Sequence, residues 1–278
     1  MTRARGPAAI RAAFDEARRH ARAALIAYLM AGYPADETAV AAAERALQAG
    51  ADLLEIGVPF SDPVADGPVI AEAGRIALDG GGGLESAIRT VAELRERGVS
   101  APILAMSYLN PLVAHGDRRA LGRLSAAGTD GLIVPDLPAG EEPGFERLAA
   151  ELDLALCFLV APNTSAERLE LAIGATTGFL YVVPLFGVTG ARERLADAAL
   201  PLLERVRVAA NDRVPVAAGF GISRADQVAA LATVADAVVV GSALVAALGD
   251  GGPQRVGELV RELADGVRVS SVGTPTAR

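Results

Sequence analysis

Leu53-Leu54-Glu55-Ile56-Gly57-Val58-Pro59-Phe60-Ser61-Asp62-Pro63-Val64-Ala65-Asp66-Gly67-Pro68 is an apolar run carrying one acid, followed at once by a Gly/Pro-rich turn carrying two more. The run 52–56 reads as a buried strand with Glu55 at its end. An ionised carboxylate on such a strand is costly, so it is neutralised, paired or used. An acid on the adjoining loop reaches the same pocket. Two carboxylates in different surroundings can hold different protonation states at one pH, as general acid–base chemistry requires.

Outward from this strand the same pattern repeats. Apolar runs at 25–30, 52–56, 102–106, 131–134, 154–160, 178–183, 214–217 and 237–240 are continuous, not alternating, which is the pattern of parallel strands covered on both faces. Between them lie amphipathic segments at 36–48, 84–97, 117–127, 142–152, 167–173, 192–209 and 224–233, with 8–19 as an extra helix in front and 253–263 behind. Thr164-Ser165-Ala166-Glu167 and Ser223-Arg224-Ala225-Asp226 have capping-box spacing and mark two helix starts. Eight alternations without a break in composition predict a single (β/α)8 TIM barrel over 1–266 with an extra N-terminal helix, leaving 267–278 as a loose tail. A doubly wound open sheet is the competing arrangement. A parallel barrel places its chemistry just after the strands, at their C-terminal ends.

Composition narrows the function. The 278 residues are 51% hydrophobic, enough for one large core, and the net charge is −8 with no basic cluster, which disfavours nucleic acid. No apolar run reaches membrane-spanning length. Cys157 is the only cysteine, so no internal disulfide forms; with no signal-like opening, the reading is a reducing cytoplasm. Cys157 itself reads as buried packing. His20 and His115 cannot build a His-rich metal site, and His115 reads as a surface loop residue.

Glu55 admits a structural ion pair as well as a catalytic role, and Asp62 and Asp66 admit ordinary turn chemistry. The three acids together admit a hard-cation site, and a carboxylate pair admits glycoside hydrolysis, although Trp is absent. Gly187-Val188-Thr189-Gly190, Gly219-Phe220-Gly221-Ile222-Ser223 and Gly241-Ser242 follow the sixth, seventh and eighth strands. Such glycine turns let backbone N–H groups approach a phosphate at a helix N-terminus. Tyr28, Tyr108 and Tyr181, with Phe220, form a candidate apolar slot for a flat ring, though core packing explains a buried Tyr28 equally well.

The opening stretch resembles the tryptophan synthase alpha chain family, whose motif reads L-E-[IL]-G-[VI]-P-F-S-D-P-x-A-D-G-P. The resemblance runs over 24–247. It includes Tyr28-Leu29-Met30-Ala31-Gly32-Tyr33-Pro34, Met106-Ser107-Tyr108-Leu109-Asn110-Pro111, Val134-Pro135-Asp136-Leu137-Pro138 and the three glycine turns. It implies retro-aldol cleavage of indole-3-glycerol phosphate to indole and glyceraldehyde 3-phosphate. Glu55 then matches the acid–base glutamate, and Asp66 the aspartate at the ring N–H. Burial should raise the pKa of Glu55, whereas Asp66 on a polar loop should stay ionised. Tyr108 and Tyr181 match active-site tyrosines, and Thr189 matches a mobile-loop threonine. Gly190, Gly221, Gly241 and Ser242 fall on phosphate-binding positions. Asp62, Asp136 and Pro138 match loops facing a beta chain that carries pyridoxal phosphate in an alpha2beta2 complex; the alpha chain itself uses no cofactor and no metal. Pro184-Leu185-Phe186 stands where relatives carry small polar residues. A stand-alone indole-releasing lyase, a catalytically silent regulatory subunit and another phosphate-gripping barrel, such as a sugar-phosphate isomerase, are the rival readings.

Overall fold

The computed structural model describes residues 3–114, 116–183, 192–219 and 221–269, with backbone alone at 192–199 and 268–269. Helix α1 (Gly6–Arg19) precedes β1 (Ala24–Met30) and α2 (Asp36–Ala49). The chain continues through β2 (Leu53–Gly57), α3 (Pro68–Asp79), α4 (Leu84–Glu96), β3 (Ile103–Met106), α5 (Leu109–Ala114), α6 (Asp117–Ala127), β4 (Gly131–Ile133) and α7 (Pro143–Glu151). It closes with β5 (Ala155–Cys157), β6 (Leu159–Val160), α8 (Ala166–Ala175), β7 (Leu180–Val182), α9 (Arg192–Ala210), β8 (Val216–Ala218), α10 (Ala225–Ala232), β9 (Ala237–Val240) and α11 (Ser242–Val269).

Every strand pairing among the described residues is parallel, in the order β5-β4-β3-β2-β1-β9-β8-β7-β6. The two ends of that order, β5 and β6, are separated in sequence by Phe158 alone. The expected strand at 154–160 is therefore split. Ala155, Leu156 and Cys157 lie opposite Gly131, Leu132 and Ile133, while Leu159 and Val160 lie opposite Tyr181 and Val182. The Phe158 carbonyl accepts the Tyr181 N–H at 2.9 Å, so pairing passes from one neighbour to the other along one extended segment. This closes the sheet into a TIM barrel of nine strand segments where eight strands are expected, consistent with the closure geometry of the fold.

Strand alternation divides the core. Leu25, Ala27, Leu29, Leu54, Ile56, Ala105, Leu132 and Leu156 face outward onto the helices. Ala24, Ile26, Leu53, Leu104, Ile133, Ala155, Cys157, Phe179, Ala217 and Val239 fill the barrel interior. Ile10, Phe14 and Ala17 of α1 join the interior group, with the Phe14 and Phe179 rings 5.7 Å apart, so the extra N-terminal helix plugs the barrel floor. Fully buried Asp130 fastens that plug: it accepts from Arg3, Arg95, the Gly6 N–H and the Ile103 N–H at 2.6–3.1 Å. A buried charge so completely paired is tolerated, and removing one partner is expensive. With the floor closed by α1, the opposite rim, at the C-terminal ends of the strands, is where a parallel barrel holds its ligand.

Helix starts fall one residue from the predicted capping boxes. Ser165, not Thr164, caps α8 by accepting the Arg168 N–H at 3.2 Å, because Thr164 Oγ1 is turned back onto the Ala161 N–H. Before α10 the reciprocal acceptor is Gln227, whose Oε1 takes the Ser223 and Arg224 N–H groups, so Asp226 does not serve. Helix α11 runs to Val269 across a kink at Gly251 and Gly252; Gly252 has φ +67° and precedes Pro253. Residues 270–278 lie outside the described residues.

Candidate active site

On β2 the inward positions are Leu53, Glu55 and Gly57. Glu55 stands opposite Tyr28 of β1 and Leu104 of β3. It is fully buried, and neither carboxyl oxygen has a hydrogen-bond partner among the described residues. Burial, and secondly the nearby charge of Asp66, push its pKa up to about 8. The acid is thus protonated at neutral pH, as its apolar strand requires. One step along, Gly57 leaves room for Tyr28: a Cβ there would lie 2.2 Å from the phenol oxygen.

Asp66 lies on the loop from β2 to α3, whose turn is set by the Val64 N–H on the Asp62 carbonyl and the Asp66 N–H on the Pro63 carbonyl. The loop does not leave Asp66 freely solvated. Burial raises its pKa to about 6, opposed by a hydrogen bond from the Tyr108 hydroxyl. It remains mostly ionised at neutral pH, by a smaller margin than a polar loop implies. Asp62 points away: it is exposed, and the Ser61 hydroxyl donates to it at 2.5 Å. No group of three or more His, Cys, Asp or Glu placed to hold a metal occurs among the described residues, so the hard-cation alternative is not supported.

Three tyrosines surround the acids. Tyr28 and Tyr181 have pKa values driven well above the ordinary 10 by burial and stay neutral. The Tyr181 ring covers Gly219, where a Cβ would meet it at 2.5 Å. The Tyr108 hydroxyl accepts the Ala65 N–H at 2.8 Å, and its ring lies 5.3 Å from that of Phe60. Met30 and Met106 pack into the same rim, with Tyr28. Phe60, Met30 and Met106 escape a reading by chemical type because they carry no titratable group. Their signal is position alone, at or just past the end of a strand.

Gly241 lies between β9 and α11: its carbonyl accepts the Leu244 and Val245 N–H groups at 2.9 and 3.0 Å, which leaves the Ser242 and Ala243 N–H groups at the helix start without a preceding helical carbonyl. A Cβ on Gly241 would come to 3.5 Å from the Tyr28 ring. Gly221 has φ +65° with open space where a Cβ would stand. Ser242 is the first residue of α11. These are the features of an anion cradle. Asp136 and Pro138 are exposed on the loop after β4, where Asp136 accepts the Leu109 N–H at 2.8 Å. Thr189, Gly190 and Phe220, with His115 and Pro184-Leu185-Phe186, lie outside the described residues.

The family model for the tryptophan synthase alpha chain matches residues 14–268. The chain belongs to that family. It is 44% identical over 247 residues to a tryptophan synthase alpha chain of Xanthomonas campestris, covering 88% of this chain and 90% of the relative. A tryptophan synthase alpha chain of Roseiflexus castenholzii is 44% identical over 256 residues, covering 92% and 96%. Among solved structures, a Mycobacterium tuberculosis tryptophan synthase chain superposes with a TM-score of 0.86 at 40% identity, covering 93% of this chain and 98% of that one. The family reaction is cleavage of indole-3-glycerol phosphate to indole and glyceraldehyde 3-phosphate, and the chain is a lyase of tryptophan biosynthesis. No helix among the described residues is long and apolar enough to cross a membrane.

Proposed function

We propose that Glu55 and Asp66 carry out this cleavage as an acid–base pair. The supporting observation is one fully buried carboxyl without a hydrogen-bond partner, protonated at neutral pH, beside a second that is largely ionised. Glu55 gives its proton to the indole ring carbon that bears the side chain. Positive charge then develops at the ring nitrogen, and Asp66 accepts the N–H hydrogen bond and stabilises that charge. Glu55, now a carboxylate, takes the proton of the adjacent side-chain hydroxyl. The carbon–oxygen double bond forms, the carbon–carbon bond breaks, and its electron pair restores the aromatic ring. The proton given equals the proton taken, so Glu55 returns to its starting state.

Tyr28, Tyr108 and Tyr181 wall the slot for the indole ring; Phe220 and Thr189, outside the described residues, are assigned to the same site by the sequence and its family resemblance alone. Gly190, Gly221, Gly241 and Ser242 hold the phosphate by backbone N–H groups and the α11 dipole. The chain's own step needs no cofactor. Its partner is a tryptophan synthase beta chain in an alpha2beta2 complex, which carries pyridoxal phosphate and meets the loops bearing Asp62, Asp136 and Pro138. The reducing composition fits a cytoplasmic setting. Indole release from indole-3-glycerol phosphate by Glu55→Gln and Asp66→Asn variants, with and without a beta chain, tests this assignment.

A further inference from the structure

We infer that Tyr108 is a positioning residue for Asp66, acting on the reaction through that carboxylate as well as walling the slot. This rests on the reading of Asp66 as the group at the ring N–H. The Tyr108 hydroxyl oxygen accepts the Ala65 N–H at 2.8 Å, and its influence on the neighbouring Asp66 carboxyl opposes the upward pKa shift that burial causes. Ala65 immediately precedes Asp66, so the phenol grips the backbone one residue from the carboxylate. The ring also packs on Phe60 at the start of the same loop, with centroids 5.3 Å apart. Tyr108 therefore clamps the segment 60–66 at both ends.

Tyr108 is itself held. It is buried; the preceding Ser107 N–H donates to the Ile133 carbonyl at 3.0 Å, and the following Leu109 N–H donates to Asp136 at 2.8 Å. The clamp is thus anchored to β4 and to the loop after it, and not to the segment it restrains. The loop carrying Asp66 is otherwise Gly- and Pro-rich, with Val64 82% exposed, and has little packing of its own to fix the carboxylate. The phenol also favours the ionised form of Asp66 against the effect of burial, and that is the form the mechanism uses.

The test compares the full chain with Tyr108→Phe, Asp66→Asn and the double variant, measuring indole release against pH and substrate concentration. Tyr108→Phe keeps the ring on Phe60 and removes only the hydroxyl. The expected result is a kcat lower by roughly tenfold, the scale of one hydrogen bond to a charged group, with KM changed little. The acidic limb of the profile should move to higher pH, and adding Tyr108→Phe to Asp66→Asn should cost nothing further. An unmoved acidic limb, or full additivity of the two substitutions, overturns the inference while leaving the role of Asp66 intact. Near-wild-type turnover by Asp66→Asn would remove that role, and the inference with it.

Discussion

Tyr28 and Glu55 are cross-strand partners in the parallel ladder of β1 and β2, and the tyrosine ring occupies the space that a side chain at Gly57 would need. The glycine after the acidic strand position is thus there for packing and not for backbone freedom. Gly57→Ala should push the Tyr28 ring out of place, destabilise the chain by about 1–3 kcal/mol as other overpacked cores do, and lower indole release. Thermal unfolding and an activity assay on the same preparation check this. An unchanged midpoint with unchanged turnover would mean that the ring moves freely.

The buried acid makes stability depend on pH. The folded chain keeps the Glu55 proton up to about 8, whereas the ordinary value is 4.5. Between those values the folded state binds more protons than the unfolded state, so stability falls as pH rises through the window. Each pKa unit is worth about 1.4 kcal/mol. Glu55→Gln should therefore match the parent near about pH 5 and be more stable by a few kcal/mol near about pH 9. Denaturant titrations at both pH values measure the difference; equal stability at the higher pH would show that Glu55 ionises without cost.

Catalysis should follow a bell. Asp66 must be ionised and Glu55 protonated, so activity rises with pH through about 6 and falls through about 8. The two carboxyls interact, so the limbs belong to the pair. A profile of kcat/KM for indole release reads them. A flat profile across neutrality would contradict the division of protonation states.

The two loop acids should separate. Asp66→Asn is expected to be severely impaired in the isolated chain, whereas exposed Asp62→Asn should be nearly unaffected there and altered only when a beta chain is present. Activity of both variants, alone and during titration with a beta chain, tests the division. Equal collapse without partner would refute it, and absence of association alongside full activity of the chain alone would indicate a stand-alone lyase.

Much of this site is legible in the chain because Glu55 violates the rule its strand otherwise obeys. An acid in a continuous apolar run announces itself, and the fold places it at a rim. What stayed hidden has physical causes. The split of 154–160 at Phe158 comes from barrel closure, which no local pattern encodes. Helix α3 begins at Pro68 inside the Gly/Pro-rich stretch and carries Gly74, so its apolar stripe is masked by turn residues. The first half of α11 is hidden by Gly249, Gly251 and Gly252. The burial that raises the Asp66 pKa, and the opposing influence of Tyr108, 42 residues away in the chain, leave no sign in a loop rich in Asp, Gly and Pro.

An anion should bind at the turns that carry Gly221, Gly241 and Ser242. Crystals soaked in glycerol phosphate should show density against the first turn of α11. Density elsewhere, with none at these turns, would refute the cradle.

The central claim is that Glu55 is the proton carrier of the cleavage. Turnover of indole-3-glycerol phosphate by Glu55→Gln at saturating substrate addresses it most directly. The account predicts a fall of roughly 10²–10⁴-fold, the range for loss of a general acid–base, with substrate binding retained. Turnover near that of the parent chain would contradict it.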